Sequence, residues 1–392
     1  MSDPDFKQAL TLPAWLAVQA TTRGGAPALR RKSLGRWRAW TWRQVADEVS
    51  HVASSLAARG FARGDRAVIA GEPRPEALVV ALAAQWLGGA AFYVDLVGPT
   101  GSLDLGTPRP RFAFVERGAQ LDLLTRLTSG APFDRVVYAD PRGIVPGPDG
   151  RLIAYEALAA PGAPTVDLPR AEPGDVAFAF GRRWEGVGPA PRPRSITHCE
   201  ALAGARALLR AVAIGADRDA LVPRSQTPES ARAFVGSWLM AGFRLHFPET
   251  QSTRDVDRRE LAPWLVVGTA DSYAGLRQRV IQNLPAPTSP QRRLVDWALA
   301  PSTHGLDEVL RRTVGEVLVR RPLREVIGLS RVALSLVAGA APEASVAAFF
   351  SRLGLKLRSL DDPGAAAATA ARGRAADAER PSGSLPIAGE AQ

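Results

Sequence analysis

The sequence predicts an α/β protein with largely parallel sheets. Two observations point there. Strand and helix signals alternate at short intervals along most of the chain. A second block of the same kind opens at Asp175, after a connection rich in Pro and Gly at 141–173. Residues 1–173 are therefore expected to form a first α/β subdomain with an N-terminal hairpin, and 174–362 a second.

The elements follow in order. Residues 27–42 alternate as a hairpin turning at Gly35. Thr41 and Gln44 have capping-box spacing, and Val45, Val49, Val52 and Leu56 mark one helical face that Gly60 closes. Gly64–Gly71 reads as a turn entering a short buried strand. Pro73 and Pro75 open a helix to about Leu87, and Ala90–Val97 is the next strand. Arg111–Glu116 and Arg135–Asp140 are strands around a helix near 119–127. In the second block the strand candidates are Asp175–Phe180, Phe243–Phe247, Trp264–Gly268 and Val332–Gly339. Helices are expected near 199–213, 229–241, 271–283 and 343–353. From residue 363 to 392 the chain is Ala, Gly, Arg, Pro and Ser without periodicity, and is expected to be disordered.

Composition narrows the classes. The formal charge is +10. The basic residues are nearly all arginine, with lysine only at Lys7, Lys32 and Lys356, and they form no run or stripe, so no nucleic-acid partner is expected. A lone cysteine, Cys199, excludes an internal disulfide framework and fits a reducing cytoplasm. The opening MSDPDFKQAL has no apolar core for a signal peptide. The most apolar stretch, Ala77 to Val94, is interrupted by Gln85, Gly88 and Gly89, so a buried helix turning into a strand is expected rather than a membrane span. His51, His198, His246 and His304 show no metal-ligand spacing. His198 and Cys199 are adjacent at a helix start, and neighbours on a helix do not face each other. No catalytic residue and no metal ligand is assigned.

Several segments carry a family resemblance in order and spacing. RWRAWTWRQVADEV (Arg36–Val49), LAARGFARGDRAVIAGEPRPE (Leu56–Glu76) and LGGAAFYV (Leu87–Val94) occur in sequence, and RPLREVIGL (Arg321–Leu329) precedes the strand to Gly339. The chain resembles the large N-terminal domain of acyl-adenylate-forming (AMP-binding) enzymes, of the long-chain acyl-CoA synthetase kind. That resemblance implies two α/β subdomains. It also implies chemistry in which a carboxylate attacks the α-phosphate of ATP, and a thiol then takes the acyl group. The family holds the triphosphate with a Ser/Thr/Gly loop ending in Pro-Lys-Gly.

The matching place here, DVAFAFGRRWEGVGPAPRPRSITH (Asp175–His198), keeps the flanks and loses the centre. Gly181, Arg182, Arg183, Trp184 and Glu185 stand where the family has small hydroxyl residues, and Arg192 stands near its Lys. Gly181, Arg182, Arg183, Arg192, Thr197 and Gly339 are the positions at which the resemblance implies nucleotide or phosphate contact. Gln226, Glu229 and Tyr273 match vestigial acyl and adenylation positions, with Gln226 in place of a His. Where the family reads E-G-Y-G-x-T-E, this sequence has Asp361, Gly364 and Ala365, and no counterpart of the family's mobile C-terminal domain is expected. The expectation is a catalytically inactive relative that needs no cofactor. It would bind an acyl group or nucleotide weakly, or serve as a protein-interaction module. The alternative is residual ATP- and Mg²⁺-dependent fatty acid adenylation, with Arg182, Arg183, Arg192 and Arg194 serving as the phosphate loop.

Overall fold

The strands sort by the alternation of their side chains. In the computed structural model, which describes residues 9–94, 96, 102–128, 130, 133–161, 169–181, 183–184, 193–300 and 306–360, two mostly parallel sheets are flanked by helices, the expected architecture. The tail expected to be disordered lies outside the described residues.

The chain begins with the helix Leu12–Arg23 and the hairpin β1 (Pro27–Ser33) and β2 (Arg36–Thr41). β3 (Arg66–Ala70), β4 (Ala90–Val94), β5 (Ser102–Leu103), β6 (Phe112–Val115), β7 (Arg135–Tyr138) and β8 (Leu152–Ala154) follow. Next come β9 (Val176–Gly181), β10 (Arg183–Trp184), β11 (Arg194–Thr197), β12 (Asp219–Leu221) and β13 (Arg244–Phe247). β14 (Leu265–Gly268), β15 (Leu334–Val337) and β16 (Leu357–Ser359) complete the strands. The first sheet has the order β11-β9-β4-β3-β6-β7-β8, and the second β16-β15-β14-β12-β13-β1-β2. Only the β9–β11 and β1–β2 pairs within them are antiparallel. Each sheet draws strands from both sides of residue 174: the opening hairpin joins the second sheet, with Leu29 opposite Leu245, and β9 joins the first.

Alternation places the core. Ala67 and Ile69 of β3, Leu265 and Val267 of β14, and Leu334 and Leu336 of β15 face one cluster lying between the sheets. Val68 and Ala70 turn to a second cluster on the outer side of the first sheet, and Val266 and Val337 to a third on the outer side of the second. Both faces of each sheet are thus buried, as parallel sheets require. Among the helices contributing to the central cluster are Leu12–Arg23, Trp42–Ala58, Pro75–Trp86, His198–Ala211 and Gly236–Ala241. Trp42 and Trp238 stack at its centre, with ring centroids 4.8 Å apart.

The apolar stretch from Ala77 to Val94 is a buried helix, a turn and β4. Every residue from Ala77 to Trp86 is buried, and Gly88 turns the chain with φ of +80°. No helix among the described residues is long and apolar enough to cross a membrane. The Thr41–Gln44 capping box is formed.

One close approach fixes the packing of the His198–Ala211 helix. A Cβ on Gly204 would stand 2.4 Å from the Arg232 carbonyl oxygen. Gly204→Ala is therefore expected to destabilise the fold by about 1–3 kcal/mol, as overpacking against backbone does. Urea unfolding would check it, and an unchanged midpoint would show that the helices can separate freely.

Candidate functional site

Within the loop expected to cradle phosphate, the described residues are committed to the fold. β9 and β11 pair as antiparallel neighbours, with Arg194 opposite Phe180. Gly181 is required by packing: a Cβ there would lie 2.8 Å from the Phe92 ring and 3.0 Å from Leu103. Arg183 and Trp184 form a short ribbon with β5. Arg182, Glu185 and Arg192 lie outside the described residues, as do Asp361, Gly364, Ala365 and His304.

The Thr197 hydroxyl serves a helix end. It accepts from the Glu200 backbone N–H at 3.2 Å and donates to the Glu200 carboxylate at 3.0 Å. The Thr197 N–H donates to the same carboxylate at 2.8 Å. These bonds to Thr197, backbone first, hold the Glu200 carboxyl below its ordinary pKa. Arg194 pairs with Glu229 at 2.8 Å, and Gln226 accepts a bond from Ser230 at 3.2 Å. Tyr273 is buried, donates its hydroxyl to the Leu336 carbonyl at 3.1 Å and meets Phe350 edge-on. Burial pushes its pKa well up. Gly339 adopts φ of +79° after β15, with open space where a Cβ would be. His198 is buried and Cys199 exposed, so the adjacent pair is split between core and solvent, as helical geometry requires.

The structure instead opens a cavity of about 520 Å³ at the carboxyl ends of β12 and β14. Such ends are where open α/β sheets receive ligands. Leu221, Val266, Val267 and Leu276 give it apolar walls. Its charged lining is Arg224, Arg254, Arg258 and Arg279 against Asp255 and Asp271.

Arg254 and Arg258 come from the helix Arg254–Leu261, where spacing of four residues puts both on one face. Arg254 is only 5% exposed. Its Nη2 donates to the Val222 carbonyl, while its Nη1 has no partner among the described residues. Burial, helped by the charges of Arg224 and Arg258, pushes its pKa down to about 9. Arg258 donates through Nε to the Ile327 carbonyl at 2.8 Å and pairs with Asp255 at 2.8 Å. Burial lowers its pKa too, against the pull of Asp255. Asp255 also pairs with Arg279. Burial alone would raise the Asp255 pKa, and these two guanidinium groups hold it below the usual value.

None of these arginines was singled out by sequence. The run RDVDRREL looks like an exposed helix, and the one available signal was the i, i+4 arginine pair. Among the described residues no cluster of three or more His, Cys, Asp or Glu could hold a metal ion.

Comparison places the fold. Residues 16–122 match the family model described as AMP-binding enzyme. The luciferase-like enzyme from the nonluminescent mealworm Zophobas morio superposes with a TM-score of 0.62 at 14% identity, over 91% of this chain and 72% of that one. An E. coli MenE variant with bound OSB-AMS gives 0.54 at 18% identity, over 91% and 60%. The A-PCP didomain of carboxylic acid reductase from Segniliparus rugosus, in complex with AMP, gives 0.65 at 15% identity, over 90% and 52%. This chain therefore spans roughly half to three quarters of the length of these structures. No curated protein matches it by sequence. The resemblance to adenylate-forming enzymes is borne out, and at these identities the superpositions speak for the fold.

Proposed function

We propose that this chain, built on the large-domain fold of the adenylate-forming enzymes, is a binding protein without ligase turnover. Its ligand would be an acyl group or acyl-adenylate, bound weakly. The commitment of Thr197 carries this reading. The hydroxyl that would meet a phosphate is spent on capping a helix through Glu200. Arg194, the described arginine nearest the family's lysine, is neutralised by Glu229. Gly181 is held against Phe92 and Leu103 in the core. The described residues of this loop do not fit a triphosphate with its Mg²⁺. A long-chain acyl class is the reading that the Arg321–Leu329 resemblance supports. The single, exposed Cys199 accords with a cytoplasmic setting.

Pyrophosphate release and ligand binding test the proposal together. With ATP, Mg²⁺ and a long-chain fatty acid, release is expected to equal the protein-free blank, while a working adenylate-forming enzyme responds in the same assay. An acyl-adenylate analogue is expected to raise the melting temperature at millimolar concentration. Release above the blank would restore the ligase reading. No stabilisation by the analogue would overturn the ligand reading and leave a protein-interaction module.

A further inference from the structure

We propose that the helical run 306–326 is the contact face of a dimer of this chain, in which two copies lay these helices antiparallel about a two-fold axis near Val314. The run is continuous through the segments Leu306–Gly315, Glu316–Arg320 and Arg321–Val326. Its inner side recurs at a spacing of four. Gly315 and Val319 are buried there, and a Cβ on Gly315 would stand 3.2 Å from the Cβ of Ala298 in the helix Pro290–Leu299. The outer side recurs at the same spacing, in pairs. Val309 with Leu310, Thr313 with Val314, and Val317 with Leu318 are all exposed. In a regular α-helix a spacing of four drifts round the axis by about 40° at each step. The π-helical turn Glu316–Arg320, wider than an α turn, takes up that drift and keeps the pairs in line. The result is an apolar stripe over residues 309–318. Five of the twelve large apolar side chains exposed among the described residues lie on it. Scattered apolar residues are ordinary on a surface, whereas a contiguous patch marks a place that another molecule covers.

The charges along the run identify the occupant. In sequence it opens on Asp307 and Glu308, and the exposed residue next along the stripe after Leu318 is Arg321. An antiparallel pair centred on Val314 sets position 307 opposite 321 at both ends, with Leu310 opposite Leu318 between them. Acid then meets base twice, which a parallel pair would not provide. The Arg321 side chain is 68% exposed, and its present bond to Glu325 is a surface pair of the kind that exchanges at little cost. An anionic lipid surface is a poorer fit, because the other arginines beside the stripe are turned to the fold. Arg311 lies over the Trp297 ring, Arg320 donates to the Ala298 carbonyl, and Arg324 donates to Glu316 and the Leu353 carbonyl. The chain's own end suits the stripe less, since Leu385 and Ile387 are the only large apolar residues in 361–392. The stripe is short, so the dimer is expected to be weak and to dissociate on dilution through the micromolar range.

Sedimentation velocity of the intact chain over that range tests the pairing. The weight-average sedimentation coefficient is expected to climb from that of a monomer towards that of a dimer. Leu318→Glu, at an exposed position, is expected to leave the melting temperature unchanged and to weaken association about tenfold or more by putting a charge into the apolar contact. Asp307→Arg and Arg321→Glu are each expected to weaken self-association. An equimolar mixture of these two variants is expected to restore it, because in the mixed pair each arginine again meets a carboxylate. A monomer throughout would overturn the proposal, as would a dimer that Leu318→Glu leaves intact, or a mixture no tighter than its components. A monomer that sediments with anionic phospholipid vesicles, and no longer does so with Leu318→Glu, would give the stripe to a lipid surface instead. A monomer that begins to dimerise when Leu385 and Ile387 are both replaced by Ser would give it to the chain's own end.

Discussion

Trp238→Ala is expected to cost about 3–5 kcal/mol of folding stability, the range for truncating a buried aromatic. Trp238 is fully buried and stacks on Trp42, whose own ring is fully buried where the helix Trp42–Ala58 begins. Its indole N–H also donates to the Ala28 carbonyl at 3.2 Å, which ties the helix Gly236–Ala241 to β1. The substitution therefore leaves a cavity and removes a hydrogen bond at the junction of three elements. Trp238→Phe, which keeps a ring and loses only the hydrogen bond and part of the volume, is expected to cost less than half as much. Urea unfolding of the two variants measures both. Equal small losses for both would mean that the interior refills around this position.

Acid is expected to weaken the protein through His198, by about 3 kcal/mol in total as pH falls from 6.5 to 4. Burial pushes the pKa of this imidazole down to about 4, with slight opposition from Asp175. In that window the unfolded chain takes a proton and the folded chain does not, so stability falls as pH falls. The geometry gives the reason. The Leu12 backbone N–H donates to His198 Nδ1 at 3.2 Å, so Nδ1 must stay unprotonated and the ring neutral. A second proton would turn an acceptor toward a donor and release the start of the helix Leu12–Arg23. His198→Asn keeps an acceptor and cannot be charged. Its unfolding free energy is expected to fall less steeply between these pH values, by one proton's worth of slope. An unchanged slope would remove His198 from the acid response.

Local rules were legible in the sequence, while long-range ones were not. The Thr41–Gln44 cap and the helices found at His198–Ala211, Ala270–Gln282 and Ala344–Arg352 follow from spacing and end signals alone. β12 and β16, of three residues each, are too short to carry a period. The polar helix Arg254–Leu261 has the composition of a solvated element, yet Arg254, Asp257 and Arg258 are buried. Burial of a charged residue depends on what packs across from it, which neighbours in the chain do not encode. The same reason hid the cavity. Motif matching directs attention to Gly181, Thr197 and Tyr273, and of these Tyr273 lines the cavity, whereas the buried Arg254 and Arg258 lie outside every matched segment.

The exchange of strands between the sheets has a consequence for synthesis. The opening hairpin leaves the ribosome long before β13, the strand it must pair with. Until then one long edge of β1 has no partner in its own sheet, and an open edge invites pairing with other chains. Lys32, Arg30 and Arg31 along β1 place charge on that waiting edge, the usual protection against premature pairing. The first sheet likewise waits for β9 to complete it beside β4. Neither half can close its sheet alone, so the two are expected to become protease-resistant together, late in elongation, rather than one after the other. Pulsed proteolysis of stalled nascent chains of increasing length would show it, and a protected fragment ending before residue 174 would count against it.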